Sequence, residues 1–170
     1  MVSSPPPHGG NLSQEAFRFG LKPSQLLDAS ASLVPFRPPR VLRRALEQAI
    51  GGSALRDYPD REQRELRQVI ARWHGLQPDA VLPGNGAAEL FTWAARDAAY
   101  CGVSGLPEPG FADYRRALAC WDGGVCSLPL NLSWSATWPQ PWPFQRELDP
   151  CFQVLWITNP HNPTGQLWSR

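Results

Sequence analysis

The sequence predicts an α/β fold, with helices layered on a mostly parallel sheet. Three observations carry that prediction. Segments of helical and strand character alternate along most of the chain. A glycine-bearing turn, Pro83-Gly84-Asn85-Gly86-Ala87-Ala88-Glu89, opens a helix. A β-rich run from Val154 to Ile157 breaks at once into Asn159-Pro160 and Asn162-Pro163-Thr164-Gly165, which reads as a buried strand ending in a rigid turn. In open α/β sheets, ligands bind at the carboxyl edge of the strands.

The elements follow in order. Pro5-Pro6-Pro7 favours an extended arm, followed by the flexible turn His8-Gly9-Gly10-Asn11. On composition alone His8 is a solvent-exposed residue of a terminus. Ser13 to Phe19 suits a short helix ending at Gly20, and Asp28 to Val34 is a segment of small residues. After Pro38-Pro39, which suit a first helical turn, Val41, Leu42, Ala45, Leu46 and Ala49 fall on one helical face and Gly51-Gly52 end it. Asp60 is placed to cap the next helix with Gln63 at the capping-box position. That helix carries Leu66, Val69, Ile70 and Trp73 at helical spacing and stops at His74-Gly75.

Ala80 to Leu82 reads as a brief strand. The helix that begins within the glycine turn is marked by Ala87, Leu90, Phe91, Ala94, Ala95 and Ala98. Its start combines unpaired N–H groups, the positive end of the helix dipole and glycine, which together make an anion cradle. A plain glycine turn with a helix cap fits the same residues. Neither a Walker A loop nor GxGxxG is present, since Glu89 stands where the third glycine belongs. Cys101 to Leu106 reads as a strand, Phe111 to about Trp121 as a helix, and Gly124 to Leu128 as the next strand. Phe111 either covers a planar ligand at the helix mouth or anchors the helix to the core. Residues 131–143 have no period and read as a loop with partly buried tryptophans.

Composition sets bounds. The chain has 170 residues and a formal net charge of +1, which fits one domain's core and gives no electrostatic case for nucleic acid or an acidic membrane. No apolar run reaches a span's length of about 20 residues. The N-terminus lacks the basic and apolar regions of a secretory signal, so a cytoplasmic protein is expected. Cys101, Cys120, Cys126 and Cys151 form no CxxC pair; they read as small, mostly buried apolar residues rather than metal ligands or disulfides. Lys22 is the only lysine.

The ordered set HGGN, DYPD, PGNGAAEL, PGFADY and NPHNPTG, running from His8 to Gly165, resembles the fold-type I pyridoxal-phosphate enzymes of the class I/II aminotransferase group. Within it the set is most similar to the threonine-phosphate decarboxylase branch of cobalamin biosynthesis, with the histidinol-phosphate aminotransferases as near relatives. The resemblance implies an incomplete three-layer α/β/α large domain and pyridoxal 5'-phosphate as cofactor. It implies an arm or lid over residues 1–37, a helical segment of the small domain and dimer contact over 38–78, and the first part of the cofactor domain over 79–170.

By the same resemblance, Gly86 and Ala87 offer N–H groups to the cofactor phosphate, Phe111 stacks on the pyridine ring, and Asn162 bonds the ring's phenolate oxygen. Tyr58 reaches the phosphate of a neighbouring subunit's cofactor, which implies a homodimer. His8, Gly9, Asn11 and Ser32 lie near an amino acid or phosphorylated amino acid substrate. Relatives carry S-A-N-I-N-P where this chain has Ser30-Ala31-Ser32-Leu33-Val34-Pro35, so both amides are replaced. The aspartate on the ring nitrogen, the Schiff-base lysine and the carboxylate-binding arginine are expected beyond Arg170. Lys22 reads as an exposed surface residue, so these residues alone are expected to be inactive. Other readings are a non-catalytic pyridoxal-phosphate or phosphate-binding fragment, a gene remnant, and a Trp/Pro-rich interaction protein carried by residues 134–143.

Overall fold

The computed structural model describes residues 9–31, 33–34, 36–132, 139–141, 143–144 and 151–169. The chain forms two compact units, Met1–Arg61 and Glu62–Arg170.

In the first unit, helix α1 spans Leu12–Arg18. Asn11 caps it: its Oδ1 accepts the Gln14 N–H at 3.3 Å and its Nδ2 donates to Gln14 Oε1 at 2.7 Å. This satisfies one of the N–H groups that every helix start leaves open. A 3₁₀ turn, Pro23–Gln25, follows, and Lys22 before it is exposed. Helix α2, Arg40–Gly51, begins directly after Pro39 and ends against Gly52, as the two proline and two glycine signals predict. Its apolar residues Val41, Leu42, Leu46 and Ile50 are all exposed.

The second unit opens on helix α3, Arg64–His74, ended by Gly75 in the left-handed region. Asp60 does not cap it. Gln63 adopts φ 48° and is the N-cap, without a side-chain cap bond. The helix therefore starts after Gln63 and not after Asp60. The strand expected at Ala80 to Leu82 is instead a 3₁₀ turn, Pro78–Ala80, running into extended chain. Its carbonyls are taken by a side chain rather than a strand: Arg67 Nε donates to the Pro78 and Val81 carbonyls at 3.0 and 3.1 Å.

Helix α4 spans Ala87–Cys101, β1 Ser104–Glu108, α5 Ala112–Ala119, β2 Val125–Pro129 and β3 Val154–Leu155. The strands form a parallel sheet in the order β2-β1-β3, with Ser104 opposite both Val125 and Val154. Strand β1 starts later than Cys101 because α4 runs through that residue and stops at Gly102. The core lies where α4 and α5 cover the sheet. Ala95, Ala98, Leu106, Ala117 and Leu118 are buried there, with Phe91, Tyr114, Val125, Val154 and Trp156 packed against them. Alanines at the contact let two helices approach closely, so a small core closes tightly.

The cysteines are not mostly buried. Cys101, Cys120 and Cys151 are exposed and Cys126 is half-buried, all as free thiols. Cys101 and Cys120 sit at the ends of α4 and α5, where helices leave the core. The tryptophans expected to be partly buried in the loop, Trp134, Trp138 and Trp142, lie outside the described residues.

Candidate functional site

The carboxyl ends of β1 and β3 are neighbours, because β3 pairs with β1 in parallel. The chain leaves β1 through Pro109-Gly110-Phe111 into α5, and leaves β3 through Trp156 to Gly165. Chain reversal of this kind across a central strand makes the crevice in which α/β sheets bind ligands. The start of α4 reaches the same edge through an aromatic cluster. Phe91, one turn inside α4, meets Tyr114 edge-on at 4.9 Å and 84°, Phe111 at 6.1 Å and 71°, and Trp156 at 6.5 Å. Phe111 and Tyr114 meet at 5.6 Å, and Tyr114 and Trp156 at 5.0 Å. Edge-on aromatic pairs at these distances are attractive beyond their burial.

Two hydrogen bonds lock this cluster to the sheet. Tyr114 Oη and Thr158 Oγ1 share one at 2.6 Å. Trp156 Nε1 donates to the buried Ser104 Oγ at 3.1 Å. Phe111 itself is half-buried and is the N-cap residue of α5. It packs on Phe91 and Tyr114, as the anchoring reading expects, and it lines a cavity of about 340 Å³ with Pro107, Gly110 and Tyr114 among others. Arg115 extends from α5 to Glu108 Oε1, and to Ser127 Oγ at 3.1 Å. Its hydrogen bond holds the Glu108 carboxyl below the usual carboxylate value.

At the start of α4, Gly86 is the N-cap with φ 86° and ψ 166°. Only glycine takes that conformation without strain. The Gly86 N–H, expected to face a phosphate, instead turns back to the Gly84 carbonyl at 2.9 Å, and the Asn85 N–H donates to Glu89 Oε2 at 2.5 Å. Glu89 thus closes the turn from inside instead of providing a third glycine's close approach. The outward donors are the N–H groups of the first helical turn from Ala87 onward, which have no intrahelical acceptor.

The loop after β3 is internally stitched. Asn159 Nδ2 donates to the Trp168 carbonyl at 3.1 Å and its Oδ1 accepts the Trp168 N–H at 3.0 Å. His161, only 4 % exposed, shares a hydrogen bond with Thr164 Oγ1 at 2.8 Å and lies 5.1 Å from the Trp168 ring. Burial lowers its pKa from the ordinary imidazole value. The Gly165 N–H closes the turn on the His161 carbonyl at 2.7 Å, with Gly165 at φ 72°. Asn162 sits at the tip of this turn and is exposed. Of the two asparagines, Asn159 is the staple and Asn162 is the one left to face outward.

The remaining sequence-derived candidates belong to the other unit. Tyr58 is 95 % exposed there. Gly9 packs on Ser30 so closely that a β-carbon would collide with the Ser30 carbonyl. Gly10 N–H donates to Ser30 Oγ at 2.9 Å, and Ser30 donates in turn to Asp28. These bonds from Ser30 lower the Asp28 pKa. Gly9 and Asn11 therefore have structural work in the arm, around a cavity of about 470 Å³ that also takes in Arg18 and Phe19. His8 and Ser32 lie outside the described residues. Sequence reasoning missed Tyr114, Thr158 and His161 as site elements, and it used Phe91 only as a helix marker. The signal for Phe91 and Tyr114 was present: each stands near the start of a helix whose mouth carries a site candidate.

A family model described as aminotransferase class I and II matches residues 21–170. The chain is 34 % identical over 171 aligned residues to a threonine-phosphate decarboxylase of Salmonella typhimurium strain LT2, covering 96 % of this chain and 43 % of that protein. It is 31 % identical to a histidinol-phosphate aminotransferase of Acidovorax sp. strain JS42, covering 79 % and 36 %. Among solved structures it is similar to the L-threonine-O-3-phosphate decarboxylase of Porphyromonas gingivalis, with TM-score 0.58, 27 % identity, and 75 % of this chain against 35 % of that one. Cystalysin of Treponema denticola, which contains pyridoxal 5'-phosphate, shares the fold at TM-score 0.60 and 16 % identity, over 96 % and 40 %. The chain thus spans less than half the length of the curated relatives it matches.

Proposed function

The chain belongs to the class I and II aminotransferase family, and on that premise we propose that it supplies the phosphate cradle and ring face of a pyridoxal 5'-phosphate enzyme acting on a phosphorylated amino acid. The observation that carries this reading is the Phe91 cluster, which gathers the start of α4, Phe111 and the strand leading to Asn162 at one sheet edge. The residues fit the cofactor. The first turn of α4 presents N–H groups to a phosphate, Phe111 has a ring partly open to stack, and Asn162 is an exposed amide donor.

Pyridoxal phosphate, when bound, supplies an electron sink for bond loss at the substrate Cα. The chain's own residues would bind and orient: the first-turn N–H groups of α4 from Ala87 onward would hold the phosphate end, Phe111 would stack on the ring, and Asn162 would donate to the ring's oxygen. Tyr58 serves the site of a second copy, which makes the working form a homodimer. The phosphorylated substrate and the decarboxylase branch are supported by the likeness to threonine-phosphate decarboxylases. The whole protein releases CO2 from a phosphorylated amino acid, and these 170 residues alone do not turn over, since their one amine side chain, Lys22, flanks a turn in the arm.

Titration of pyridoxal 5'-phosphate into the chain, followed by calorimetry, tests the binding half of this reading. Binding that weakens in Gly86→Val and Phe111→Ala supports it. No heat at millimolar ligand sinks it. CO2 release from L-threonine O-3-phosphate by the purified 170-residue chain would overturn the claim that it is inactive alone.

A further inference from the structure

We propose that Arg116, held by the buried Asp113, is the positioning residue that sets the first turn of α4 for an anion. This rests on the reading above, in which that turn receives the cofactor phosphate. Gly86 has no side chain with which to cap α4, and helix ends without caps fray. The restraint comes from the neighbouring helix instead. Asp113 is 6 % exposed and accepts a hydrogen bond from Arg116 Nε. The same guanidinium donates through Nη2 to the Ala88 carbonyl at 3.1 Å and to Thr92 Oγ1 at 3.2 Å. Thr92 Oγ1 donates to that same carbonyl at 2.9 Å, and Trp121 Nε1 donates to the Thr92 carbonyl at 2.7 Å.

The consequence is local. The Ala88 carbonyl belongs to the peptide plane whose N–H is that of Glu89. A charged donor on the carbonyl fixes the plane and polarises its N–H, because linked hydrogen bonds strengthen one another. The fork geometry matters: arginine reaches Asp113 with Nε while Nη2 spans two acceptors, which a lysine ammonium cannot reproduce. Nothing in this network faces the cavity beside Phe111, so Arg116 acts through the helix and not on the ligand.

The test is amide NMR on the ¹⁵N-labelled chain, titrated in parallel with pyridoxal 5'-phosphate and with pyridoxal, which lacks the phosphate. In the unsubstituted chain the Ala87, Ala88 and Glu89 amides shift with the phosphorylated ligand. Arg116→Gln weakens that ligand by about tenfold, the scale of one charge-assisted hydrogen bond, leaves pyridoxal unchanged, and Arg116→Lys falls between. Asp113→Asn, nearly isosteric, provides the same comparison should Arg116→Gln not fold. An unchanged affinity for pyridoxal 5'-phosphate, or an equal loss for both ligands, overturns the positioning role and leaves the phosphate site standing. If the three amides of the unsubstituted chain do not respond at all, the phosphate site falls and this inference with it.

Discussion

Truncating Phe91 to alanine should damage the second unit and the candidate site together. Its ring meets Phe111, Tyr114 and Trp156 edge-on. Removing a fully buried phenylalanine costs about 3–5 kcal/mol. Phe91 is half-buried, which reduces the packing share to about 2 kcal/mol. The pairs with Tyr114 and Phe111 add about 0.5–1 kcal/mol each, so the sum is about 3–4 kcal/mol. For a unit of this size each kcal/mol moves the midpoint by about 4–6 °C, so Phe91→Ala should melt about 12–24 °C lower by near-ultraviolet circular dichroism. A double-mutant cycle with Tyr114→Leu should return a coupling of about 1 kcal/mol. A loss below about 1 kcal/mol, well under the packing share alone, would refute the claim that Phe91 joins the three approaches to the site. So would strict additivity with Tyr114→Leu.

Gly86→Val should strain the left-handed N-cap by about 1–2 kcal/mol and weaken pyridoxal 5'-phosphate in the calorimetric titration. The two asparagines of the loop should separate cleanly. Asn159→Ala removes the two hydrogen bonds to the Trp168 backbone and should cost about 1–3 kcal/mol in urea unfolding. Asn162→Ala, at an exposed tip, should stay within about 0.5 kcal/mol while lowering cofactor affinity. His161 carries a sign that can be checked. Its folded pKa lies below the ordinary 6.5, so the unfolded chain binds the proton more readily. Its contribution is fully present above 6.5, is lost as pH falls from there to the folded value, and levels off below it. Urea midpoints across that window should show the slope, and His161→Gln should remove it.

What was legible in the sequence was what short-range chemistry decides. Pro39 and Gly52 bound α2, Gly75 ends α3, and the glycine turn opens α4, because each depends on the dihedral freedom of one or two residues. The sheet followed from alternation, and Phe111 stood out as a candidate because the mouth of a helix after a strand is a special position. The misses share another cause. Asp60 satisfied the capping pattern, but Gln63 in the left-handed region moved the helix start away from it. Val81 had strand composition, but Arg67 took the carbonyls that a strand partner would need.

The partners at the site were hidden for the same reason. That Phe91, Phe111, Tyr114 and Trp156 form one cluster depends on β3 pairing with β1 across more than forty residues, as the register Ser104 to Val154 requires. No local rule contains that pairing. The loop motif shows how the two kinds of information combine. Its prolines mark a rigid turn from sequence alone, yet which asparagine is structural depends on Trp168 folding back to meet Asn159. Both ends of the Asn159 amide are engaged by the Trp168 backbone, whereas Asn162 is exposed at the tip of the turn. The structural part played by Asn159 is therefore a consequence of long-range folding and not of the motif alone. Substituting Trp168 by a residue that still folds back should leave it intact, because Asn159 binds the backbone of Trp168 and not its ring.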